Sequence, residues 1–196
     1  MMHFKRSQKY LLGLVLNLLF LSACNQRQPQ KPDPVRRKSP IAIASVKYPP
    51  SHTYIKIVYG QPYKRDRVIF GNLVPYDKVW RTGANEATEI TTTQDITFAG
   101  KTLPAGTYAL FTIPHKNGKW TIILNSKLGQ WGAFDYDKND DVMRVNVPSN
   151  KTENPRQAFA IQFSDVKNAS TNIVLSWDYA EVTIPVEFSD TKTASM

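Results

Sequence analysis

The sequence predicts an all-β domain. The expected architecture is an antiparallel β-sandwich, jelly-roll-like or immunoglobulin-like, with a partly open barrel as the alternative. Two-residue alternation of apolar and polar side chains recurs along the chain, and no stretch longer than two turns keeps a 3.6-residue period. Turn signals built from Gly, Pro and Asn fall at short intervals between these runs. The pattern occupies residues 48–188, a length that suits one domain.

The chain begins with a basic stretch, "HFKRSQKY". An apolar run at 11–21, "LLGLVLNLLFL", and the small residues of "SAC" follow. This is the layout of a secretory signal, and the run is too short to span a bilayer. "LSAC" resembles the bacterial lipobox, so 1–23 is expected to be a lipoprotein signal peptide and Cys24 the lipidated residue. Cys24 is the only cysteine, which leaves the remaining domain without a disulfide or a Cys-based metal site. Residues 24–45 place Pro29, Pro32, Pro34 and Pro40 among polar and basic residues. They read as a Pro-rich basic linker, extended at about 3.1 Å per residue. The domain is then expected at 46–188 and a C-terminal tail at 189–196. "NQRQPQK", just after Cys24, carries no acid. The chain is therefore expected in the bacterial cell envelope, held to the membrane through lipidated Cys24 and facing the periplasm.

The formal net charge of +9 does not belong to the domain. Residues 1–47 hold nine Lys or Arg against one Asp, and the rest of the chain is nearly balanced. The electrostatic footprint of a nucleic-acid binder is missing, so no nucleic-acid partner is expected. The basic linker would lie close to anionic headgroups, where each charge contributes about 1 kcal/mol.

Ile55, Ile57 and Tyr59 line one face of the first clear strand. "TYALFTI" at 107–113 is apolar on both faces and reads as a central strand. Trp120, Ile122 and Leu124 form the next face, followed by Met143, Val145 and Val147. Phe159, Ile161 and Phe163 come next, then Ile173, Leu175 and Trp177. Val182, Ile184 and Val186 end the series. Pro185 lacks a ladder donor, which predicts an edge position for that last strand. Gly100-Lys101 reads as a Gly-first two-residue hairpin, Pro104 and Gly106 mark a second turn, and Asn117-Gly118 a third. Two segments lack the alternation, 60–87 and 126–141. Both are rich in aromatics, so they are expected to fold onto the sheets rather than stay loose.

"RVIFGNLVPYDKVWRTGANEAT", "KTLPAGTYALFTIP" and "LGQWGAFDYDKNDDVMRV", in this order, resemble the domain of unknown function 2911 family of exported and lipid-anchored bacterial proteins. The likeness runs from about Val46 to Val186. It implies an all-β fold and an envelope location, and it brings no activity, cofactor or site residue with it. Asp66 and Asp77 stand where the family pattern has Gly. Asp tolerates left-handed backbone better than most residues.

"KVWRTGANEAT" gathers the polar groups that stand out most. As a site, Arg81 would grip a carboxylate or phosphate with its planar fork, and Asn85 and Glu86 would hydrogen-bond polar groups. As a rivet, Arg81 would pair with Glu86 or a nearby Asp, Trp80 would plug the core, and Gly83 would take a backbone conformation closed to other residues. In "QWGAF", Trp131 and Phe134 would either present aromatic faces to a ligand or bury beneath their loop. "DYDKNDD" has the alternate oxygen spacing of calcium loops, but Asp140 replaces the required Gly and Asn146 the closing Glu. It reads as a solvated acidic turn with Asp141 available to Arg144 or Arg81. No G-x-S-x-G, P-loop or H-E-x-x-H motif occurs, and His52 and His115 cannot form a His-rich cluster.

These readings converge on a lipid-anchored binding or accessory module. Its ligand site is expected between the two long loops, built from Tyr63, Arg81, Asn85, Glu86 and Trp131, and would take a small polar molecule or a glycan. No catalytic residue, metal or cofactor is expected. A structural partner domain for another envelope protein is one alternative, and a hydrolase using Glu86 is the other.

Overall fold

The computed structural model describes residues 37–189. The expected signal peptide, Cys24, most of the linker and the end of the tail lie outside the described residues. Nine strands and no α-helix occur among the described residues. They are β1 (Ile41–Tyr48), β2 (Thr53–Gly60), β3 (Thr88–Thr92), β4 (Ile96–Phe98), β5 (Lys101–Leu103), β6 (Gly106–Pro114), β7 (Lys119–Asn125), β8 (Asp141–Phe163) and β9 (Ser170–Phe188). All pairings are antiparallel, in the order β1-β2-β3-β6-β7-β8-β9-β4-β5, with β1 and β5 at open edges. The sheet is not a closed barrel, and the all-β antiparallel class expected from the alternation is the class observed.

One long strand, β8, carries the sheet from one layer to the other. The first part of β8 pairs with β7 up to Pro148, and the part from Ser149 onward pairs with β9. The register shifts twice between Lys151 and Ala160, the kind of irregularity that bends a strand. The two parts of the sheet then meet across one core. Tyr59 on β2 packs edge-on against Phe159 on β8 with centroids 5.6 Å apart, and its hydroxyl accepts the Ile161 N–H at 3.1 Å. Tyr48 stacks on Phe188 at 4.7 Å. Ile55, Ile57, Ile90, Ile122, Leu175 and Ile184 fill the space between. β6 buries both faces, as a central strand should.

Several local expectations need correction. β1 starts at Ile41, inside the stretch read as linker. Its two faces are exposed Ile41 and Ile43 against half-buried Ala42, Ala44 and Val46, so both read as apolar. β9 is an interior strand, not an edge. Pro185 falls just beyond the β8 pairing, which ends at Val182, and just before the β4 pairing, which starts at Val186, so no donor is lost. The β4–β5 hairpin turns at Ala99-Gly100, both at positive φ (48° and 77°), rather than at Gly100-Lys101. Asp66 (φ 56°) and Asp77 (φ 61°) both occupy the left-handed region, which Asp tolerates better than most residues.

The two segments without alternation connect β2 to β3 (residues 61–87) and β7 to β8 (residues 126–140), and both fold onto the sheet. The first contributes Ile69, Val74 and Trp80 to the core. The second packs Tyr136 edge-on against Phe111 on β6, with centroids 5.1 Å apart.

Candidate functional site

The long loops are tied to each other by backbone hydrogen bonds. Ala87 N–H donates to the Gln130 carbonyl, and Gly132 N–H to the Asn85 carbonyl, both at 2.9 Å. "KVWRTGANEAT" therefore runs beside "QWGAF" like a short extra strand pair. Its other side is anchored to β6, where Trp80 and Thr112 exchange N–H···O bonds of 2.8 and 2.9 Å. Trp80 plugs the core, and its indole N–H donates to the Gly83 carbonyl at 3.1 Å. The Thr88 hydroxyl donates to the Thr82 carbonyl at 2.8 Å.

Gly83 has a different role from the one expected. It is not among the glycines with positive φ. A Cβ there would lie 2.9 Å from the Gly60 carbonyl oxygen and 3.1 Å from the Thr88 hydroxyl, so close backbone approach is what excludes a side chain. The left-handed positions are Thr82 (φ 54°) and Asn85 (φ 65°). A β-branched residue at positive φ is strained, and strain of this kind clusters at functional sites. Thr82 holds that conformation directly beside Arg81.

A cavity of about 540 Å³ opens between the loops. Val74, Trp80 and Trp177, all buried, form its inner wall, and exposed Leu73 and Phe134 stand at its mouth. Tyr63, Arg81 and Asn85 line it, so three of the five expected ligand residues come together. Glu86 does not join them. It lines a second, smaller hollow with Glu89 and Gln130, and its carboxylate takes a 2.5 Å bond from Arg37. Its own backbone N–H, and then Arg37, hold its pKa below the ordinary carboxylate value. Trp131 pairs by backbone with Glu86 and leaves its ring 58% exposed, lining neither hollow.

The Arg81 side chain makes no hydrogen bond or ion pair among the described residues, and its Nε is buried without a partner. Burial lowers its pKa from the ordinary guanidinium value. One terminal nitrogen lies where a Cβ on Gly132 would be 3.2 Å away, so the glycine leaves room for the guanidinium. Neither Glu86 nor an Asp pairs with it, and the ion pair expected of a rivet is absent. A buried polar group without a partner costs stability, about 1–3 kcal/mol and more when charged.

The acidic turn is resolved differently. Asp137 caps a short 3₁₀ turn, Lys138–Asp140, by accepting the Asn139 N–H at 2.9 Å. Asp141 turns inward. Its Oδ2 accepts from Arg144 at 2.7 Å and from the Tyr136 hydroxyl at 2.8 Å, and its Oδ1 from Asn125 at 3.0 Å. Desolvation and then this carboxylate push the Tyr136 pKa up to about 12. No group of three or more His, Cys, Asp or Glu side chains is placed to hold a metal among the described residues.

Residues 39–186 match the model of the family described as "Protein of unknown function (DUF2911)". The chain belongs to this family. The DUF2911 match spans all nine strands except the end of β9, and both long loops. No curated protein and no solved structure matches the chain. The cavity residues that sequence reasoning missed are Lys38, Arg65, Arg67 and Lys78. The basic run "KRDR" was the local signal for Arg65 and Arg67 alone; Lys38 lies in the stretch read as linker and Lys78 opens "KVWRTGANEAT".

Proposed function

We propose that this DUF2911 protein is a binding or accessory module of the bacterial cell envelope, anchored through lipidated Cys24, with its ligand site in the cavity between the two long loops. The unpartnered, partly buried guanidinium of Arg81 on the cavity wall is the observation that carries the reading. A cation that neither pairs nor caps anything costs stability, and such costs are usual at sites kept for function. Arg81→Ala should therefore leave the unfolding free energy within about 1 kcal/mol of wild type, or raise it, while abolishing ligand-induced thermal stabilisation. A thermal-shift screen of small polar molecules, carboxylates, phosphates and glycans on both proteins checks this. Loss of several kcal/mol in Arg81→Ala, or no shift with any compound, would defeat the proposal.

The anchor is tested separately. Cys24→Ser should leave an uncleaved precursor without lipid, seen by mass spectrometry of the membrane fraction. Normal cleavage of the mutant with retention on the membrane would exclude a lipoprotein.

The second reading, a structural partner domain, is favoured by one observation. β1 is an open edge strand with Ile41 and Ile43 more than half exposed, a geometry suited to strand addition by another protein. A stoichiometric envelope protein that co-purifies and is lost on Ile43→Lys would favour it. The hydrolase reading has less behind it. A lowered pKa and an ion pair with Arg37 suit Glu86 poorly to the work of a general acid.

A further inference from the structure

We infer that the ligand is an amphiphilic anion, with a phosphate or carboxylate head held at Arg81 and an apolar body packed on Phe134 and Leu73. The inference rests on the reading of the cavity as a ligand site and names its chemistry. Lys38, Arg65, Arg67, Lys78 and Arg81 line the cavity, and no Asp or Glu does. This concentration is local, because the chain beyond residue 47 is nearly charge-balanced.

The neighbouring groups do not cancel it. Arg67 donates to the backbone carbonyls of Lys64 and Tyr63, and Arg65 to that of Lys38 at 3.4 Å. Carbonyls position a guanidinium without neutralising it. The Lys38 and Lys78 ammonium groups make no ion pair among the described residues. Of the acids close in sequence, Asp77 is bonded to His115 at 2.5 Å and Asp178 to Lys64, while Asp66 and Asp135 do not line the cavity and pair with none of its cations among the described residues. A cleft with one sign of charge and apolar walls focuses its field and concentrates counter-ions of the opposite sign. The planar fork of Arg81 fits a carboxylate or phosphate edge.

The apolar half comes from the mouth. Phe134 is 82% exposed and Leu73 43% exposed, yet both belong to the cavity. Gly132, at φ 74°, places the loop so that Phe134 stands beside the Arg81 guanidinium. A free inorganic anion would leave these side chains in water. An alkyl or aromatic body would cover them, and covering such a side chain is worth about tenfold or more in affinity.

The test uses the chain from residue 24 onward with Cys24→Ser, so that no acyl chain of its own competes. Tryptophan fluorescence reports occupancy, since Trp80 and Trp177 line the cavity. The probes are inorganic phosphate, decyl phosphate below its micelle concentration, uncharged decyl maltoside, and vesicles of phosphatidylglycerol or phosphatidylcholine. Decyl phosphate should bind saturably and at least tenfold more tightly than inorganic phosphate or decyl maltoside. Arg81→Ala should weaken it roughly 10- to 100-fold, the range for a charged hydrogen-bonding pair. Lys78→Gln, on the exposed wall, should weaken it less and reduce its salt dependence. Phe134→Ala should remove the preference over inorganic phosphate without changing inorganic phosphate binding.

Arg81-dependent binding to phosphatidylglycerol vesicles but not phosphatidylcholine would identify a lipid headgroup as the source. Binding of the monomer alone would identify a soluble amphiphile. Both results support the anion. Equal binding of decyl maltoside, unaffected by Arg81→Ala, would overturn the anion while leaving the cavity as a site. No saturable binding of any charged or neutral probe would overturn both.

Discussion

Trp80→Ala should lower the unfolding free energy by about 3–5 kcal/mol, the range for deleting a large aromatic side chain from a packed core. The ring is only 9% exposed and sits in a cluster of aromatics. It stacks on Trp177 at 5.8 Å and meets Phe70, Trp120 and Phe159 edge-on at 6.3, 6.1 and 5.1 Å. Each such pair adds about 0.5–1.5 kcal/mol beyond burial. The indole N–H also satisfies the Gly83 carbonyl. Trp80→Phe keeps most of the apolar volume and loses that bond, so its cost should be smaller, about 1–2 kcal/mol more than a neutral swap. Urea unfolding of both variants checks the order. A loss under about 1 kcal/mol for Trp80→Ala would mean that the loop of 61–87 is held by its backbone bonds alone. The site would suffer as well, since Trp80 forms part of the inner wall of the cavity. Trp80 and Arg81 thus occupy different places in the same stretch, with the tryptophan plugging the core and the arginine on the cavity wall.

The strands were legible because burial on one face imposes period two on the side chains. Ile55, Ile57 and Tyr59 show it plainly, and so do Met143, Val145 and Val147. β1 was not legible. Its outer Ile41 and Ile43 are as apolar as anything in the core, and the alternation that marks a half-buried strand is lost. The lining of the cavity was legible only in part. Arg81 and Asn85, singled out because unusual polar groups crowd "KVWRTGANEAT", do line the cavity. Glu86, grouped with them in sequence, lines the other hollow and bridges by backbone to Trp131, a placement that depends on loop 126–140. The remaining cations come from separate turns of the chain, at 38, 65, 67 and 78, and only the folded loop brings them to one wall. Nor did the sequence disclose that Glu86 takes Arg37, 49 residues away, and so leaves Arg81 without a carboxylate.

Asp141→Ala should cost about 3 kcal/mol, at the lower end of the range for breaking a buried ion pair, because Arg144 keeps some contact with water. Only 6% of the Asp141 side chain is exposed. Its removal strands three donors at once, from Arg144, Tyr136 and Asn125. Asn125 also holds the Asp137 carbonyl, so the whole turn that starts β8 loosens. The double variant with Arg144→Ala should recover part of the loss, because no unpaired cation then remains. The network also has a pH signature. The Tyr136 pKa is raised from 10.0 to about 12 in the folded protein, so its contribution to stability is fully present below about pH 10. That contribution falls away as pH rises towards 12. Asp141→Ala should shrink this alkaline slope without abolishing it, since desolvation of the phenol is its first cause. Chemical unfolding at pH 8 and at pH 11 measures both effects. The comparison with Arg81→Ala is the decisive one. Two arginines sit beside the same loop, and only Arg144 has a buried carboxylate. A large loss at Asp141 with none at Arg81 would separate the cation that builds the loop from the cation held ready for a ligand.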